Sequence, residues 1–240
     1  MKLKFLGTRG EIDIRTRLHR MHSSLEVSYK GRAVMIDCGA DWLHRIHRMH
    51  PDAIVLTHAH PDHAWGLKHG APCRVYATEQ TWRIIERFPE PDRTTIEPRR
   101  AFHIHGILLE AFPVEHSLRA PAVGYRVAAG GSSIFYVPDL VSICDAHEAL
   151  RDIRLYIGDG AALRRPIIRR RGTYLVGHAP IRTQLGWCRQ EGVREALFTH
   201  CGSEIVRGDS RRITRSVRDL ARDQGVDARI AIDGMEVILP

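Results

Sequence analysis

Short apolar runs, each bounded by glycine, proline or aspartate, recur along almost the whole chain. Runs of this length and composition are typical of buried β-strands. They predict strands at residues 2–6, 24–29, 33–37, 53–57, 73–77, 106–113, 122–128, 132–137, 153–157, 195–199, 228–232 and 235–239.

A smaller number of segments place apolar residues at helical spacing instead. Trp42, Ile46 and Met49 would form one face of a helix over 41–50, with Asp41 as its N-cap. Further helices are predicted over 79–88 after Thr78, over 181–191 before Gly192, and over 210–224 between Asp209 or Ser210 and Gly225. Strand runs interrupted by single helices indicate an α/β fold, with sheet and helix layers in a single domain over 1–240.

Potential metal ligands follow several of the predicted strands at the point where each strand ends. "DAIVLT" is followed by His58, "ILLEAFPVE" by His116, "SSIFYVP" by Asp139 and "EALFT" by His200. Side chains on rigid strand ends can converge along one edge of a sheet. The pattern therefore predicts one site built from distant parts of the chain.

The segment "HAHPDH" places His58, His60, Asp62 and His63 within six positions. Imidazole and carboxylate are ordinary ligands of Zn²⁺ and similar divalent ions. One ion cannot take all of these groups together with His116, Asp139 and His200, whereas two ions about 3.5–4 Å apart can. The sequence predicts a site for two ions.

The motifs resemble those of the metallo-β-lactamase superfamily, whose signature is His-x-His-x-Asp-His after a strand. "VMIDCGAD" is similar to the early Asp-x-Gly element of that family, "PVEHS" to its third motif, "FYVPDL" to its bridging-aspartate motif and "LFTHCG" to its last histidine. Pro138 departs from the glycine that commonly precedes the bridging aspartate. The resemblance covers nearly the whole chain and implies an αββα four-layer sandwich, two mixed β-sheets flanked by helices.

The resemblance also implies roles for individual residues. His58, His60 and His116 would bind one metal, Asp62, His63 and His200 the second, and Asp139 would bridge both. Asp37 would lie behind the ligands and orient one of them. The ions would be zinc, with manganese or iron as alternatives, because this ligand set suits all three.

Within the superfamily, "LVGHAPIRTQLGWCRQEGVREALFTHCG" resembles the phosphodiesterase branch of tRNA 3′-processing nucleases and phosphonate-pathway cyclic phosphodiesterases. There a Gly-His that opens a helix supplies a histidine that is not a ligand, and His178 matches it. We therefore predict Asp62 and His178 as catalytic residues of a binuclear phosphodiesterase that uses attack by a metal-bridged hydroxide. Only 22 residues separate His116 from Asp139, which leaves no room for the long exosite arm of the tRNA-processing enzymes.

Several alternatives stay open at this point. The same site would suit hydrolysis of a lactone, thioester or lactam, or a nuclease acting on RNA or DNA. We expect a small anionic substrate, a phosphodiester or nucleotide, contacted by His19, His22 and Ser23 in the loop after the first strand. The basic runs 164–171 and 211–222 are interpreted as an exposed loop and a solvated helix face rather than as contacts to nucleic acid.

Composition adds broad limits. A net charge of +8 favours anionic partners in general. No run approaches about 18 consecutive apolar residues, so no membrane span is predicted, and the first residues do not resemble a secretory signal. Five widely spaced cysteines without a CxxC pair fit a cytoplasmic setting. A homodimer is compatible with the sequence.

Overall fold

Two mixed β-sheets make up the centre of the computed structural model, which describes residues 1–89 and 92–240. In chain order the first strands are β1 (Lys2–Gly7), β2 (Ser24–Tyr29), β3 (Arg32–Ile36), β4 (Ala53–Val55), β5 (Arg74–Thr78), β6 (Arg93–Ile96), β7 (Phe102–Ile104), β8 (Ile107–Glu115) and β9 (Ala122–Ala129). They are followed by β10 (Ser132–Tyr136), β11 (Ser142–Ile143), β12 (Leu155–Asp159), β13 (Ile167–Arg171), β14 (Tyr174–His178), β15 (Glu195–Thr199), β16 (Asp227–Ile230) and β17 (Glu236–Ile238).

Each large sheet combines antiparallel and parallel pairs. The first has the order β17-β1-β2-β3-β4-β5-β6, antiparallel from β17 to β3 and parallel from β3 to β6. The second has the order β11-β8-β9-β10-β12-β15-β16, with β7 also paired to β8, and becomes parallel from β10 onward. A separate two-stranded hairpin is formed by β13 and β14.

The helices are short and lie mainly on the outer faces of the sheets. They are α1 (Ile46–Met49), α2 (Pro61–Ala64), α3 (Glu79–Ile84), α4 (Ala146–Leu150), α5 (Ile181–Gln190), α6 (Ser203–Arg207) and α7 (Ser210–Arg222), with 3-10 turns at Ala40–Trp42 and Trp65–Leu67. Among the helices of residues 1–89 and 92–240, none is long and apolar enough to cross a membrane.

Three apolar clusters fill the spaces between these layers. The central one joins the facing sides of the two sheets, where Phe5 and Leu25 meet Leu109 and Ile157. On the outside of the second sheet, Phe198 packs with residues of α5 and α7, and Trp82 of α3 packs with Ile54 outside the first sheet. The resulting order is helix, sheet, sheet, helix, because each sheet buries one face against its partner and one against helices.

The prediction of one continuous helix over 41–50 is wrong. The chain makes a 3-10 turn at Ala40–Trp42 and only one turn of helix, α1, before His50 adopts left-handed backbone geometry. Asp41 does not cap a helix, because its carboxylate binds the guanidinium of Arg9 at 2.5 Å and the backbone N–H of His22 at 2.9 Å. Tertiary partners thus outcompete the local helical preference of this segment.

The other three predicted helices are confirmed with shorter ends. The Thr78 hydroxyl caps α3 by accepting from the Thr81 N–H, and Asp209 caps α7 by accepting from the Arg212 N–H. The basic run 164–171, interpreted as an exposed loop, is exposed but forms strand β13 over most of its length. Its partner β14, and the short elements β6, β7, β11, α2, α4 and α6, have too few residues for a clear period in the sequence.

Candidate metal centre and active site

Six strands end beside one another along a common edge of the structure, and each delivers a polar side chain there. The strands β4, β8, β10, β12, β14 and β15 lead to or end at His58, His116, Asp139, Asp159, His178 and His200 respectively. Four of these strand ends, those that carry His58, His116, Asp139 and His200, are the ones at which the sequence predicts a ligand. The edge gathers side chains that are up to 142 positions apart, from His58 to His200.

The first group of potential ligands is made of imidazoles. His58 Nε2 and His116 Nε2 lie 2.9 and 3.2 Å from His60 Nδ1, and His58 Nε2 lies 3.3 Å from Asp139 Oδ2. All four residues present a ligand atom within 4.8 Å of the others. Burial, followed by the charge of His116, lowers the pKa of His60 to about 4, which keeps its ring neutral and its lone pair available to a metal.

The second group is built around two carboxylates. Asp62 Oδ2 lies 2.9 Å from His200 Nε2 and 3.2 Å from His63 Nε2, while Asp139 Oδ1 lies 2.8 Å from His200 Nδ1. Burial by itself lowers the pKa of His63, but the nearby carboxylates more than offset it and raise the net pKa well above its usual value. This electrostatic balance favours a positive charge between these side chains.

Buried polar atoms without a hydrogen-bond partner indicate whether a cation fits between these side chains. His63 Nε2, His200 Nδ1 and Asp139 Oδ1 are buried, yet none makes a hydrogen bond within the described residues. The 2.8 Å separation of His200 Nδ1 from Asp139 Oδ1 is short enough for a hydrogen bond, but the two groups are not oriented for one. Buried polar atoms normally have partners. Since these three atoms converge, a divalent cation is the partner that suits them.

A layer of contacts behind the ligands fixes their orientation. Asp37, fully buried, accepts from His63 Nδ1 at 2.9 Å and from the Thr57 N–H at 2.8 Å. The Thr57 hydroxyl lies 3.0 Å from His58 Nδ1, and His116 Nδ1 donates to the Gly177 carbonyl at 3.0 Å. Such contacts hold each ring with its other nitrogen toward the candidate metal site.

The helix α2 owes its position to Gly39. A Cβ atom on Gly39 would lie 1.9 Å from the Asp62 carbonyl oxygen, a distance that no side chain tolerates. Pro61 is the first residue of α2 and His60 precedes it in an extended conformation. Gly39 therefore lets the loop after β3 pack directly against the helix that carries Asp62 and His63.

His178 stands at the end of β14, two residues before the Pro180 that precedes α5. Its Nδ1 lies 2.8 Å from Asp159 Oδ2 and 3.7 Å from Asp139 Oδ1, and its ring stacks on that of His200 with centroids 5.5 Å apart. Burial lowers the pKa of His178, but the Asp159 carboxylate outweighs burial and the net pKa is raised. The imidazole is thus paired with a carboxylate that is not among the predicted ligands.

The polar groups form the floor of a cavity of about 620 Å³. Its floor comprises His60, Asp62, His116, Asp139, His178 and His200. Its walls come from three loops: Gly10, Glu11 and Ile12; Ala161, Ala162, Arg165 and Ile167; and Gly202, Ser203 and Glu204. A mostly apolar wall above a polar floor is the usual form of a small-molecule site.

The three predicted substrate contacts lie in the interior of the loop after β1. His19 contacts the Thr8 hydroxyl at 2.8 Å, His22 lies 3.2 Å from Asp41, and the Ser23 hydroxyl contacts the Arg9 carbonyl. Burial, with the Arg9 charge, lowers the pKa of His22 to about 4, so its ring is neutral at pH 7. The same loop reaches the cavity through residues 10–12 instead, and contact between substrate and the predicted three stays a prediction.

Two residues of the site were not identified from the sequence. Asp159 ends β12 in "LYIGD", the same pattern of apolar strand and polar end that marks His58 and Asp139, so that signal was present. Glu11 has no such signal. It lies on the cavity wall, and burial, followed by the Asp62 charge, raises its pKa.

A family model described as "Beta-lactamase superfamily domain" matches residues 32–201. Among curated proteins the chain is similar to "Ribonuclease Z" from Methanococcus maripaludis, 26% identical over 153 residues that cover 52% of this chain and 49% of the relative. It is also similar to "Ribonuclease Z" from Methanopyrus kandleri, 28% identical over 144 residues with the same coverage. The chain spans about half the length of the curated relatives it matches.

Solved structures resemble the chain over nearly its full length. A diphosphatase of the PhnP family superposes with a TM-score of 0.76 and 22% identity, covering 100% of this chain and 98% of that chain. The metallo-β-lactamase fold protein YhfI from Bacillus subtilis has a TM-score of 0.73 and 15% identity, with 98% of both chains covered. Human tRNase Z, short form, has a TM-score of 0.67 and 17% identity, with 100% of both covered. The predicted family and the predicted fold are confirmed.

Proposed function

Because this chain belongs to the family of β-lactamase superfamily domains, we propose that it is a metal-dependent hydrolase that cleaves a phosphodiester bond. The observation that carries this proposal is the pairing of His178 with Asp159 at 2.8 Å beside the predicted ligands. Neither residue is needed to complete the two ligand groups. The presence of His178 on the cavity floor, with Asp159 buried behind it, supports a role in proton transfer.

The ligand groups would hold two divalent ions, with zinc preferred and manganese or iron as alternatives. His58, His60 and His116 would bind the first, Asp62, His63 and His200 the second, and Asp139 would contact both. Such a pair of ions supplies Lewis acidity at the reacting ester and a nucleophilic water near neutral pH. The position of Asp139 supports the bridging role, because its Oδ2 lies 3.3 Å from His58 and 3.1 Å from His63, and its Oδ1 lies 2.8 Å from His200.

His178 would donate a proton to the leaving oxygen. Since its Nδ1 is engaged by Asp159, the proton to be transferred is held at Nε2. The raised pKa favours the protonated ring, which could donate a proton to the departing alkoxide or stabilise charge on the phosphoryl oxygens. A carboxylate behind the ring stabilises the imidazolium and holds it in place.

The cavity wall and the relatives both support phosphorus over carbon as the centre of attack. Arg165 lies on the wall with the apolar residues Ile12 and Ile167, where a guanidinium would pair with an anionic ester. The curated relatives are named ribonucleases and one structural neighbour is named a diphosphatase. These names refer to bonds at phosphorus.

The test is hydrolysis of bis(p-nitrophenyl) phosphate by purified protein loaded with Zn²⁺ or Mn²⁺. We expect turnover by the wild type and a loss of about 100-fold or more in His178→Ala, the usual contribution of a positioned general acid. Metal content measured by atomic emission should be unchanged in that variant. His103→Ala, an exposed histidine on β7, is the matched control and should behave as wild type.

A parallel assay with p-nitrophenyl acetate and a simple lactone separates the proposal from its main alternative. Faster turnover of these carbonyl substrates than of any phosphodiester would contradict it. Full diester activity in His178→Ala would refute the role given to that histidine while leaving the metal site untouched.

A further inference from the structure

The segment that follows Asp159 and runs to the end of α5 is unusually basic. Residues 160–190 contain seven arginines and no aspartate or glutamate. Five of the seven, Arg164, Arg165, Arg169, Arg170 and Arg171, lie in or just before the β13–β14 hairpin. Every residue of β13 is exposed.

This charge is not neutralised inside the molecule. Arg169, Arg170 and Arg171 make no ion pair with any acidic residue in the described part of the chain, residues 1–89 and 92–240. Some other surface arginines, such as Arg74 and Arg99, are paired with carboxylates. Unpaired guanidinium groups on an exposed hairpin favour an anionic partner.

The register of the hairpin sorts its side chains onto two faces. Ile167 pairs with His178, Arg169 with Val176, and Arg171 with Tyr174. Directly paired residues of an antiparallel hairpin lie on the same side of the sheet, and alternate residues of a strand share a face. Arg169, Arg171 and Tyr174 therefore lie on the face of His178, and we call these three residues the hairpin track. Arg170 lies on the opposite face.

The hairpin track starts at the active site. Ile167 and His178, the pair at its base, both line the cavity. The backbone of Gly177 is bound on both sides to His116, since its N–H donates to the His116 carbonyl at 2.9 Å and its carbonyl accepts from His116 Nδ1. The base of the hairpin is thus held against a predicted ligand, and the track continues from it toward solvent.

The dimensions and chemistry of the track suit a chain of nucleotides. Four residues along a strand, from the His178 pair to the Tyr174 pair, extend about 13 Å at roughly 3.3 Å per residue. A track of this length would contact a short run of nucleotides. Tyr174 is 57% exposed and pairs with Arg171, and an exposed aromatic ring beside a cation is a surface on which unpaired bases stack.

We propose that the hairpin track is a binding site for a single-stranded oligonucleotide whose reacting phosphodiester lies in the cavity. This inference rests on the proposed function and narrows its substrate from any phosphodiester to a short nucleotide strand. Arg169 and Arg171 contact phosphates, and Tyr174 stacks on a base. A single strand is required because bases in a duplex present no free face to Tyr174.

Binding of a labelled oligouridylate to metal-loaded protein tests the track, measured by fluorescence anisotropy across a salt series. The His178→Ala background slows cleavage during the measurement. We expect Arg169→Gln and Arg171→Gln each to weaken binding several-fold at low salt. Each should also reduce the slope of log affinity against log salt by about 0.7, the value for one phosphate contact on a single strand.

The hairpin supplies its own matched control. Arg170→Gln removes the same charge from the same strand on the opposite face and should leave affinity within about twofold. Tyr174→Ser should weaken binding by about tenfold, in the range of one stacked base, whereas Tyr174→Phe should retain it. Equal losses in the three arginine variants would overturn the proposal in favour of general attraction to a basic surface.

Two further results would overturn it. One is binding of a duplex of equal length, or of anionic phospholipid vesicles, as tightly as the single strand. The other is the absence of any salt-sensitive binding by the wild type. Failure of the proposed function is distinguishable, because a protein that binds the oligonucleotide through the track but hydrolyses no phosphodiester would retain the binding site and lose only the activity.

Discussion

Nδ1 of His178 lies 2.8 Å from Oδ2 of Asp159, and the two side chains come from the ends of different strands, β14 and β12. Asp159 is itself fully buried and accepts from the Ala161 N–H at 2.8 Å and the Leu140 N–H at 3.3 Å. Backbone donors thus hold the carboxylate, and the carboxylate holds the imidazole. The contact orients His178 and favours its protonated form.

Replacing Asp159 should change the pH dependence of catalysis. Because the folded protein raises the pKa of His178, the protonated form persists as pH rises and is lost only above that raised value. Asp159→Asn removes the carboxylate charge, so the pKa should fall and the alkaline limb of the kcat profile should move to lower pH. At pH 8 we expect kcat to drop about 10- to 100-fold. An alkaline limb that stays in place would contradict this, and Asp227→Asn, an exposed position on β16, is the control.

Removing one member of the second ligand group should release one ion. His63→Ala or Asp62→Ala leaves His58, His60 and His116 in place, so the first ion should be retained at reduced occupancy. Turnover should fall to near the background rate, since the proposed chemistry would require both ions. Atomic emission after gel filtration measures the metal content, and two ions still bound per chain would show that the assignment is incorrect.

Asp37 offers a test that leaves all predicted ligands intact. Asp37→Asn keeps an oxygen near His63 Nδ1 but removes the charge that polarises the ring. We expect the metal affinity to fall about 10- to 100-fold, as is typical when a contact behind a ligand is lost. Competition with a chromophoric chelator gives the affinity. Asp52→Asn, which affects a surface pair with Arg32, should leave it unchanged.

Gly39 should be intolerant of any side chain. Gly39→Ala would place Cβ on the Asp62 carbonyl, so the helix α2 must shift. We expect a loss of about 1–3 kcal/mol in the free energy of unfolding, the usual range for overpacking, visible as a lower Tm in thermal unfolding. Gly186→Ala in α5 meets no atom within 4 Å and should instead raise stability by up to about 1 kcal/mol, because alanine is the better helix former. Similar melting curves for the two variants would refute this steric argument.

Two non-glycine residues of the site have an unfavourable backbone conformation that the sequence pattern does not predict. Asp37 and His200 both adopt left-handed geometry, with φ of +66° and +52°. Non-glycine residues in this region cost about 1–3 kcal/mol each and occur where surrounding contacts hold them. Asp37 is held by Thr57 and His63, and His200 by Asp62, so the contacts that form the site also maintain its strained backbone.

Local sequence patterns predicted the positions of the strands better than those of the helices. Buried strands such as β4 and β15 contain short continuous apolar runs, 53–55 and 196–198, so their positions follow from composition. The segment 41–50 has an equally good helical period, yet Asp41 is drawn into contacts with Arg9 and His22. Those partners are more than eighteen positions away, so no local pattern could indicate that they would break the helix.

The sequence by itself determined the family, the fold class and the strand-end position of the predicted ligands. It could do so because motif spacing and apolar runs are properties of neighbouring residues. Only the tertiary structure decided that Asp159 meets His178, that Glu11 rather than His19 faces the cavity, and that Arg169 and Arg171 share a face with His178 while Arg170 does not. Each of these depends on which strands pair and in which register, and pairing is settled by burial across the whole core rather than by the residues beside each site.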